Sequence, residues 1–165
     1  MKRTFSVLFV CTGNTCRSPL AARILKSRIK EKAWKGFRVS SAGTGAMEGG
    51  RASVGTEGAA RRMGLSMAGF RSKPLSRSRV ARADLILTMS PHHKTDIDMR
   101  WPDAAAKTYV LSEYTGSGRG SIADPVGGFD DAYQSCASDL GDEIERLLPK
   151  LKRAAERSRS QERLT

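Results

Sequence analysis

The chain has 165 residues, with 29 Lys and Arg against 17 Asp and Glu, which gives a formal net charge of +12 at pH 7. This length predicts one domain, assigned to residues 1–150, and no segment has the length and apolar character that a membrane span requires. The positive charge would suit phosphorylated, acidic or nucleic-acid partners, but it is dispersed and not interleaved with aromatic residues, which favours a solvated basic surface over nucleic-acid binding.

The first predicted element is a strand over Val7–Val10, a short apolar run typical of a strand buried on both faces. Cys11 follows it and would stand at the carboxyl edge of a sheet. Gly13 and Asn14 are the residue types that most easily adopt positive φ, which lets successive backbone N–H groups turn inward around an anion. We therefore predict a phosphate-binding loop formed by Thr12, Gly13, Asn14, Thr15, Cys16, Arg17 and Ser18.

A helix is predicted to start at the end of this loop, with Ser18 as the N-cap and Pro19 at the first helical position. The positive end of the helix dipole would then face the loop, and Arg17 adds a fork of donors suited to two phosphate oxygens. The same groups are expected to lower the pKa of Cys11, so that it is a thiolate at neutral pH and can attack phosphorus. A spacing of Cys-x5-Arg alone is weak, but the strand, Gly-Asn pair and Ser-Pro helix start favour a nucleophile loop over a buried structural cysteine.

The rest of the chain alternates helices with strands. Apolar residues at helical spacing predict a helix from Pro19 to about Lys32 and another from about Asp131, with Pro149 as a kink. Between them we predict a strand over 37–41, a helix over 53–63, a loop with a short helix in the basic segment 71–82, a strand over 84–89, a helix from 90 and a strand over 107–111. This alternation predicts an α/β fold with a parallel sheet and right-handed crossovers.

No metal and no cofactor is expected. His92 and His93 are adjacent, which is not the spacing of a helical zinc site, and we interpret both as surface residues. Cys136 lies on the apolar stripe of the last helix and is assigned to the core. With three cysteines and one of them needed as a thiolate, a reducing compartment is expected, and we assign the protein to the cytoplasm. Residues 151–165 have no sustained apolar stripe and are expected to form a frayed or disordered basic tail.

The segment Cys11–Pro19 closely resembles the signature of the low-molecular-weight protein tyrosine phosphatase family. The resemblance continues through Ser41-Ala42-Gly43, Ala83–Met89 and Asp124-Pro125 and covers nearly the whole chain. It implies a four-stranded parallel sheet of order 2-1-3-4 with helices on both faces. The loop after strand 1 would then lie where the strand order reverses, which is where open α/β sheets bind ligands.

The family resemblance also implies the chemistry. Cys11 would displace the leaving group to form a phosphocysteine, Arg17 and the loop N–H groups would hold the phosphate charge, and Asp124 would donate the proton to the leaving group. Ser18 would help to hold the thiolate, and Asn14 would hold the loop. From spacing alone, an ordinary turn is the preferred interpretation of Asp124-Pro125, and the resemblance to the family's general-acid motif reverses that preference.

Within the family, Thr15 and the run Asp124–Gly128 look like the protein-arginine-phosphatase branch. Tyrosine phosphatases of the family carry a bulky aliphatic residue at Thr15 and aromatics after the Asp-Pro, whereas Val126-Gly127-Gly128 offers none. The expected substrates are therefore proteins bearing phosphoarginine, with phosphotyrosine as the alternative and inorganic phosphate as the product. A threonine that only caps a turn is the other interpretation of Thr15.

Three further alternatives belong to other classes. An arsenate reductase of this fold would need redox cysteines near residues 84–92, and the sequence has none there. A nucleic-acid-binding protein would leave the Cys11 loop without a purpose. A phosphate reader without activity is expected to lack one of Cys11, Arg17 and Asp124, and all are present.

Cys16 has two interpretations. It could be an inert packed thiol. The family resemblance instead implies a reversible disulfide with Cys11 that protects the nucleophile from over-oxidation.

Overall fold

The computed structural model, which describes residues 3–165, contains one sheet of four parallel strands. The strands are β1 (Phe5–Cys11), β2 (Phe37–Gly43), β3 (Leu85–Thr88) and β4 (Thr108–Val110). Their order across the sheet is 2-1-3-4, so that β1 lies between β2 and β3. The strand order and the α/β fold expected from the sequence are thereby confirmed.

Within residues 3–165, six α-helices and one short 3-10 helix accompany the sheet. They are α1 (Arg17–Glu31), α2 (Val54–Arg62), α3 (Arg77–Arg82), α4 (Pro91–Arg100), α5 (Leu111–Thr115) and α6 (Asp130–Glu162), with the 3-10 helix over Pro102–Lys107 between α4 and β4. Helices α2 and α3 both start at a serine cap, since the hydroxyls of Ser53 and Ser76 accept hydrogen bonds from the backbone N–H groups of Thr56 and Arg79.

Alternate residues of β1 enter two separate apolar clusters, because successive side chains of a strand point to opposite faces. Phe5, Val7 and Phe9 pack with α1, α2 and α6 on one face. Leu8 and Val10 pack with α3, α4 and the 3-10 helix on the other. With both faces covered, the open carboxyl edge of the sheet is left for a site.

The expectation of a frayed or disordered tail over residues 151–165 is wrong. Helix α6 continues through Pro149 to Glu162, and Leu151 and Ala155 are buried in the core. Arg159 Nη2 donates to the carbonyl oxygen of Gly36 at 3.0 Å, which fixes the helix to the start of β2. The apolar pattern did not predict this part of the helix, because one buried residue is a small alanine and another contact is made by an arginine that donates to backbone carbonyl groups.

Over residues 3–165, no helix combines the length and the apolar composition that crossing a membrane would need.

Candidate active site

The loop between β1 and α1 lies at the carboxyl edge of the sheet, between the ends of β2 and β3. The carbonyl groups of Cys11 and Thr12 accept hydrogen bonds from the N–H groups of Thr44 and Gly45 at 2.9 and 3.0 Å. A Cβ atom on Gly43 would stand 2.3 Å from the Thr12 carbonyl oxygen. Only glycine therefore lets the end of β2 approach the loop this closely.

Asn14 is the centre of the loop's hydrogen bonding. It is fully buried and has a positive φ of 54°. Its Nδ2 donates to the hydroxyls of Ser18 at 2.8 Å and Ser41 at 3.0 Å, and its Oδ1 accepts from the backbone N–H of Lys73 at 2.9 Å. These bonds to three separate segments offset the cost of the left-handed backbone.

Cys11 is buried at the end of β1, and its Sγ lies 2.8 Å from Ser18 Oγ. Burial raises the pKa of the Cys11 thiol, while the Ser18 hydroxyl, the backbone N–H groups of Ser18 and Asn14 and the charge of Arg17 act to lower it. The net direction is upward, so the lowered pKa expected from the sequence is not observed. The sequence shows the helix start and the arginine but not how completely other elements cover the sulfur.

Ser18 is not the N-cap of α1, as the sequence pattern suggested. The helix begins at Arg17, and the cap position is held by Cys16 without a side-chain hydrogen bond. The Ser18 hydroxyl is used inside the loop instead, between Cys11 and Asn14.

Arg17 joins three parts of the chain. Its buried guanidinium donates from Nη1 to the Ile122 carbonyl oxygen at 3.1 Å and lies 3.4 Å from Ser90 Oγ. Its Nη2 lies 3.4 Å from Asp124 Oδ2. The fold thus brings Asp124 to the Cys11 loop, as the family resemblance implied, although its catalytic role stays a prediction.

The Asp124 carboxylate makes both the contact expected of a turn and the contact expected of a residue in the site. Its Oδ1 accepts from the N–H of Val126 at 3.1 Å, which is a turn contact, while Oδ2 faces Arg17. The side chain is 48% exposed, so this ion pair contributes little to stability. Val126 is also exposed, and Gly127 has a positive φ of 83°. Asp124 therefore lies on a solvent-facing turn at the mouth of the site.

His93 is a site residue that sequence reasoning missed. It is fully buried, against the expectation of a surface position, and its Nε2 lies 2.9 Å from Thr12 Oγ1. Burial and the positive charges of His92 and Arg17 lower its pKa to about 4, so the ring is neutral at pH 7. Its Nδ1 has no partner within residues 3–165. The sequence signal that could have identified His93 is its position in the first turn of a helix that follows β3. Residues at such a position lie near the carboxyl edge of the sheet.

Cys16 and Thr15 fasten α2 to the loop. Cys16 is buried with its Sγ 3.2 Å from Ser53 Oγ, and the Thr15 carbonyl accepts from the N–H of Ser53 at 3.0 Å. Thr15 is half-buried, and its Oγ1 lies 3.7 Å from Cys16 Sγ. Cys11, Cys16 and Cys136 are free thiols. Cys136 is a core residue of α6, as predicted, and burial raises its pKa to about 12.

The site combines a buried cysteine and a buried arginine at the two ends of one loop with an aspartate that faces the arginine. At the carboxyl edge of a parallel α/β sheet, this is the arrangement of a cysteine-dependent phosphatase. A family model described as low molecular weight phosphotyrosine protein phosphatase matches residues 6–157. The chain belongs to this family, and the resemblance stated from the sequence is confirmed.

Relatives of known function lie in two branches. A protein-arginine-phosphatase of Geobacillus stearothermophilus is 40% identical and covers 89% of this chain and 96% of its own. A low molecular weight protein-tyrosine-phosphatase of Acinetobacter johnsonii is 34% identical over 73% of this chain and 79% of its own. The solved structure of the arginine phosphatase YwlE from Geobacillus stearothermophilus superimposes with a TM-score of 0.82 at 39% identity, covering 90% of this chain and 93% of that one.

Proposed function

We propose that this protein is a protein-arginine-phosphatase that hydrolyses phosphoarginine in proteins. The observation that carries the proposal is the 40% identity, over most of both chains, to a relative named protein-arginine-phosphatase. Two features support the same assignment: the small, polar Thr15 within the loop, and the absence of an aromatic residue in Val126-Gly127-Gly128. A guanidinium needs polar partners for its N–H groups, whereas a phenol ring is held by bulky aliphatic and aromatic side chains.

In the first step, Cys11 Sγ forms a bond to phosphorus and the bond between phosphorus and the arginine nitrogen breaks. The attacking form is the thiolate, so Cys11 first gives its proton to solvent water, and the Ser18 hydroxyl and Arg17 stabilise the charge that results. Arg17 and the backbone N–H groups of residues 12–18 hold the phosphate oxygens in the transition state.

The leaving guanidine is strongly basic and cannot depart as an anion, so it takes a proton from Asp124. In the second step Asp124 accepts a proton from water, the water oxygen bonds to phosphorus and the bond from sulfur to phosphorus breaks. Inorganic phosphate is released and Cys11 is regenerated. The half-exposed position of Asp124 supports this role, because both the substrate and water can reach the carboxylate.

Hydrolysis of phosphotyrosine in proteins is the second candidate function, favoured by the family's description and by the Acinetobacter johnsonii relative. A cytoplasmic location is part of the main proposal, because a cysteine nucleophile beside a second buried thiol needs a reducing compartment.

The deciding experiment compares kcat/KM on two peptides of one sequence that carry either phosphoarginine or phosphotyrosine. We expect kcat/KM to be about tenfold higher or more for the phosphoarginine peptide. A factor of this size corresponds to the loss of at least one hydrogen bond in the complex with phosphotyrosine. Cys11→Ser should abolish turnover of both peptides while phosphate binding stays measurable. A preference for phosphotyrosine would overturn the proposal in favour of the second candidate.

A further inference from the structure

A cavity lies between β1, β2 and α3, and residues of all three elements line it. It has a volume of about 380 Å³. Four cationic side chains line it, together with serine residues of both strands; the cations are Arg38, Lys73, Arg79 and Arg82. A cavity of this size is in the range of sites for small ligands.

The cavity exists because α3 is too short to cover the edge of the sheet. Strand β2 is an edge strand, and α3 has only six residues. On this face of β1 and β2 the core takes Leu8, Val10 and Ala42, and the next residues of the same alternation are polar: Ser6, Arg38 and Ser40. The uncovered part of the sheet therefore presents hydroxyls and a guanidinium instead of apolar groups.

A second cavity of about 330 Å³ adjoins the first and shares Arg38 and Lys73 with it. It adds three more cations, Arg23, Lys26 and Arg71. Seven cations thus line the two cavities, which together we call the basic groove. Among residues 3–165, no Asp or Glu lines either cavity.

The positive charge of the basic groove is not neutralised by the protein. Within the described part of the chain none of its cations forms an ion pair, although Arg3, Arg100 and Arg119 do so elsewhere. Where the groove cations donate, the acceptors are backbone carbonyl oxygens, as for Arg79 to Pro74 at 3.0 Å. Asp84, which lies close in sequence, is engaged by Arg3 at 2.6 Å. Partial burial and the charges of Arg23 and Lys73 lower the pKa of Lys26, as expected where like charges crowd together.

We propose that the basic groove is a second anion site that binds a small polyanion carrying several linked phosphates, such as tripolyphosphate or the triphosphate of a nucleotide. Several separated cations with hydroxyls between them suit linked phosphates better than one phosphate group, because each phosphate can meet its own donor. Nucleic acid is a weaker fit. The one aromatic side chain of the lining, Phe70, is buried beneath Lys73 and offers no face for a base to stack on.

The groove is connected to the Cys11 loop through Asn14. Lys73 and Ser41 line both cavities, and they also hold the Asn14 side chain through the backbone N–H of Lys73 and the hydroxyl of Ser41. For this reason they are unsuitable for a test of the groove alone. Arg38 and Arg82 line the first cavity and make no hydrogen bond to the loop, so they can be replaced without touching it.

The test measures tripolyphosphate binding by calorimetry in the presence of saturating inorganic phosphate, which occupies the Cys11 loop. We compare wild type, Arg38→Gln/Arg82→Gln and a control, Arg146→Gln/Arg153→Gln, which removes the same charge from exposed positions of α6. The groove variant should bind tripolyphosphate about tenfold more weakly or worse, and the control should bind like wild type. All three proteins should hydrolyse an aryl phosphate with the same kcat and KM.

Two results would overturn the proposal. An unchanged affinity in the groove variant, or an equal loss in the control, would show that the binding is a diffuse effect of the positive surface. A single-stranded DNA of about 20 nucleotides that binds more tightly than tripolyphosphate, and loses this binding in the groove variant, would assign the surface to nucleic acid instead. ATP distinguishes the two sources of the ligand: affinity equal to that of tripolyphosphate supports recognition of the phosphates alone, and higher affinity supports a nucleotide.

Discussion

The Sγ atom of Cys11 lies 2.8 Å from the Oγ atom of Ser18, and the same oxygen accepts a hydrogen bond from Asn14 Nδ2, also at 2.8 Å. The Asn14 donor occupies one side of the hydroxyl oxygen, and the hydroxyl hydrogen has two acceptors within reach: the sulfur at 2.8 Å and the more distant Ala42 carbonyl oxygen at 3.5 Å. Ser18 is therefore placed to donate to Cys11 and to stabilise the thiolate more than the thiol.

The first prediction follows from this contact. Ser18→Ala should raise the pKa of Cys11 above its wild-type value, because a donor to the thiolate is lost, so ionisation and reaction with iodoacetamide should require a higher pH. We also expect kcat/KM to fall about tenfold or more. The measurement is the alkylation rate of Cys11 against pH. Ser27→Ala is the control, because the Ser27 hydroxyl lies on α1 and donates to Glu31. An alkylation profile identical in the two variants would contradict the role of Ser18.

Asp124→Asn should slow the enzyme in proportion to the basicity of the leaving group. Loss of the proton donor should cost about 10²-fold or more on phosphoarginine and much less on an activated aryl phosphate, whose leaving group departs without a proton. Rates on a series of aryl phosphates measure this dependence directly. Asp131→Asn, at an exposed aspartate in the first turn of α6, should leave all rates unchanged. An equal loss on every substrate would assign Asp124 a structural role only.

Thr15→Ile tests the choice between arginine and tyrosine. An aliphatic side chain at this half-buried position would fill space and leave donors of the guanidinium unpaired, a penalty of ~1–3 kcal/mol or roughly 5- to 150-fold. The ratio of kcat/KM for phosphoarginine to that for phosphotyrosine should fall by this factor. Thr15→Ser keeps the hydroxyl and should keep the ratio. If Thr15→Ile leaves the ratio unmoved, Thr15 is not the selectivity residue.

Cys16 is predicted to protect Cys11 from irreversible oxidation through a reversible disulfide, as the family resemblance implies. Wild-type enzyme inactivated by peroxide should recover with dithiothreitol, and Cys16→Ala should recover less. Cys136→Ala is the matched control, because that thiol is buried in α6 with a pKa raised to about 12 and should not take part. Mass spectrometry that finds only Cys11 sulfonic acid in inactivated wild type would refute the prediction.

Leu151→Ala tests whether the end of α6 belongs to the folded domain. Leu151 is fully buried, so its truncation should lower the free energy of unfolding by about 2–5 kcal/mol. Leu164→Ala, at a leucine that is 88% exposed, should change it by less than ~0.5 kcal/mol. Denaturant titration of both variants makes the comparison. A small effect of Leu151→Ala would restore the interpretation of residues 151–165 as a separate tail.

The strand order could be predicted only through the family resemblance. The content of the Cys11 loop could be predicted from local patterns, because a buried strand, a Gly-Asn pair and a helix start follow one another within the 13 residues from Val7 to Pro19. What the sequence did not show depends on contacts from distant segments. The Ser18 hydroxyl contacts Asn14, whose own side chain is held by Ser41 and Lys73. The raised pKa of Cys11 is set by burial. The buried His93 has its hydrogen-bond partner in Thr12, which is 81 residues away.

The contact between His93 and Thr12 also supplies an internal probe. The chain has two histidines, and one of them lies buried against the Cys11 loop. Because the pKa of His93 is about 4, its ring keeps one protonation state across the neutral range. Imidazole nitrogen signals in an NMR spectrum should therefore follow the position of Thr12, undisturbed by titration of His93, and should reveal a phosphate ion entering the loop without any label or substitution at the site.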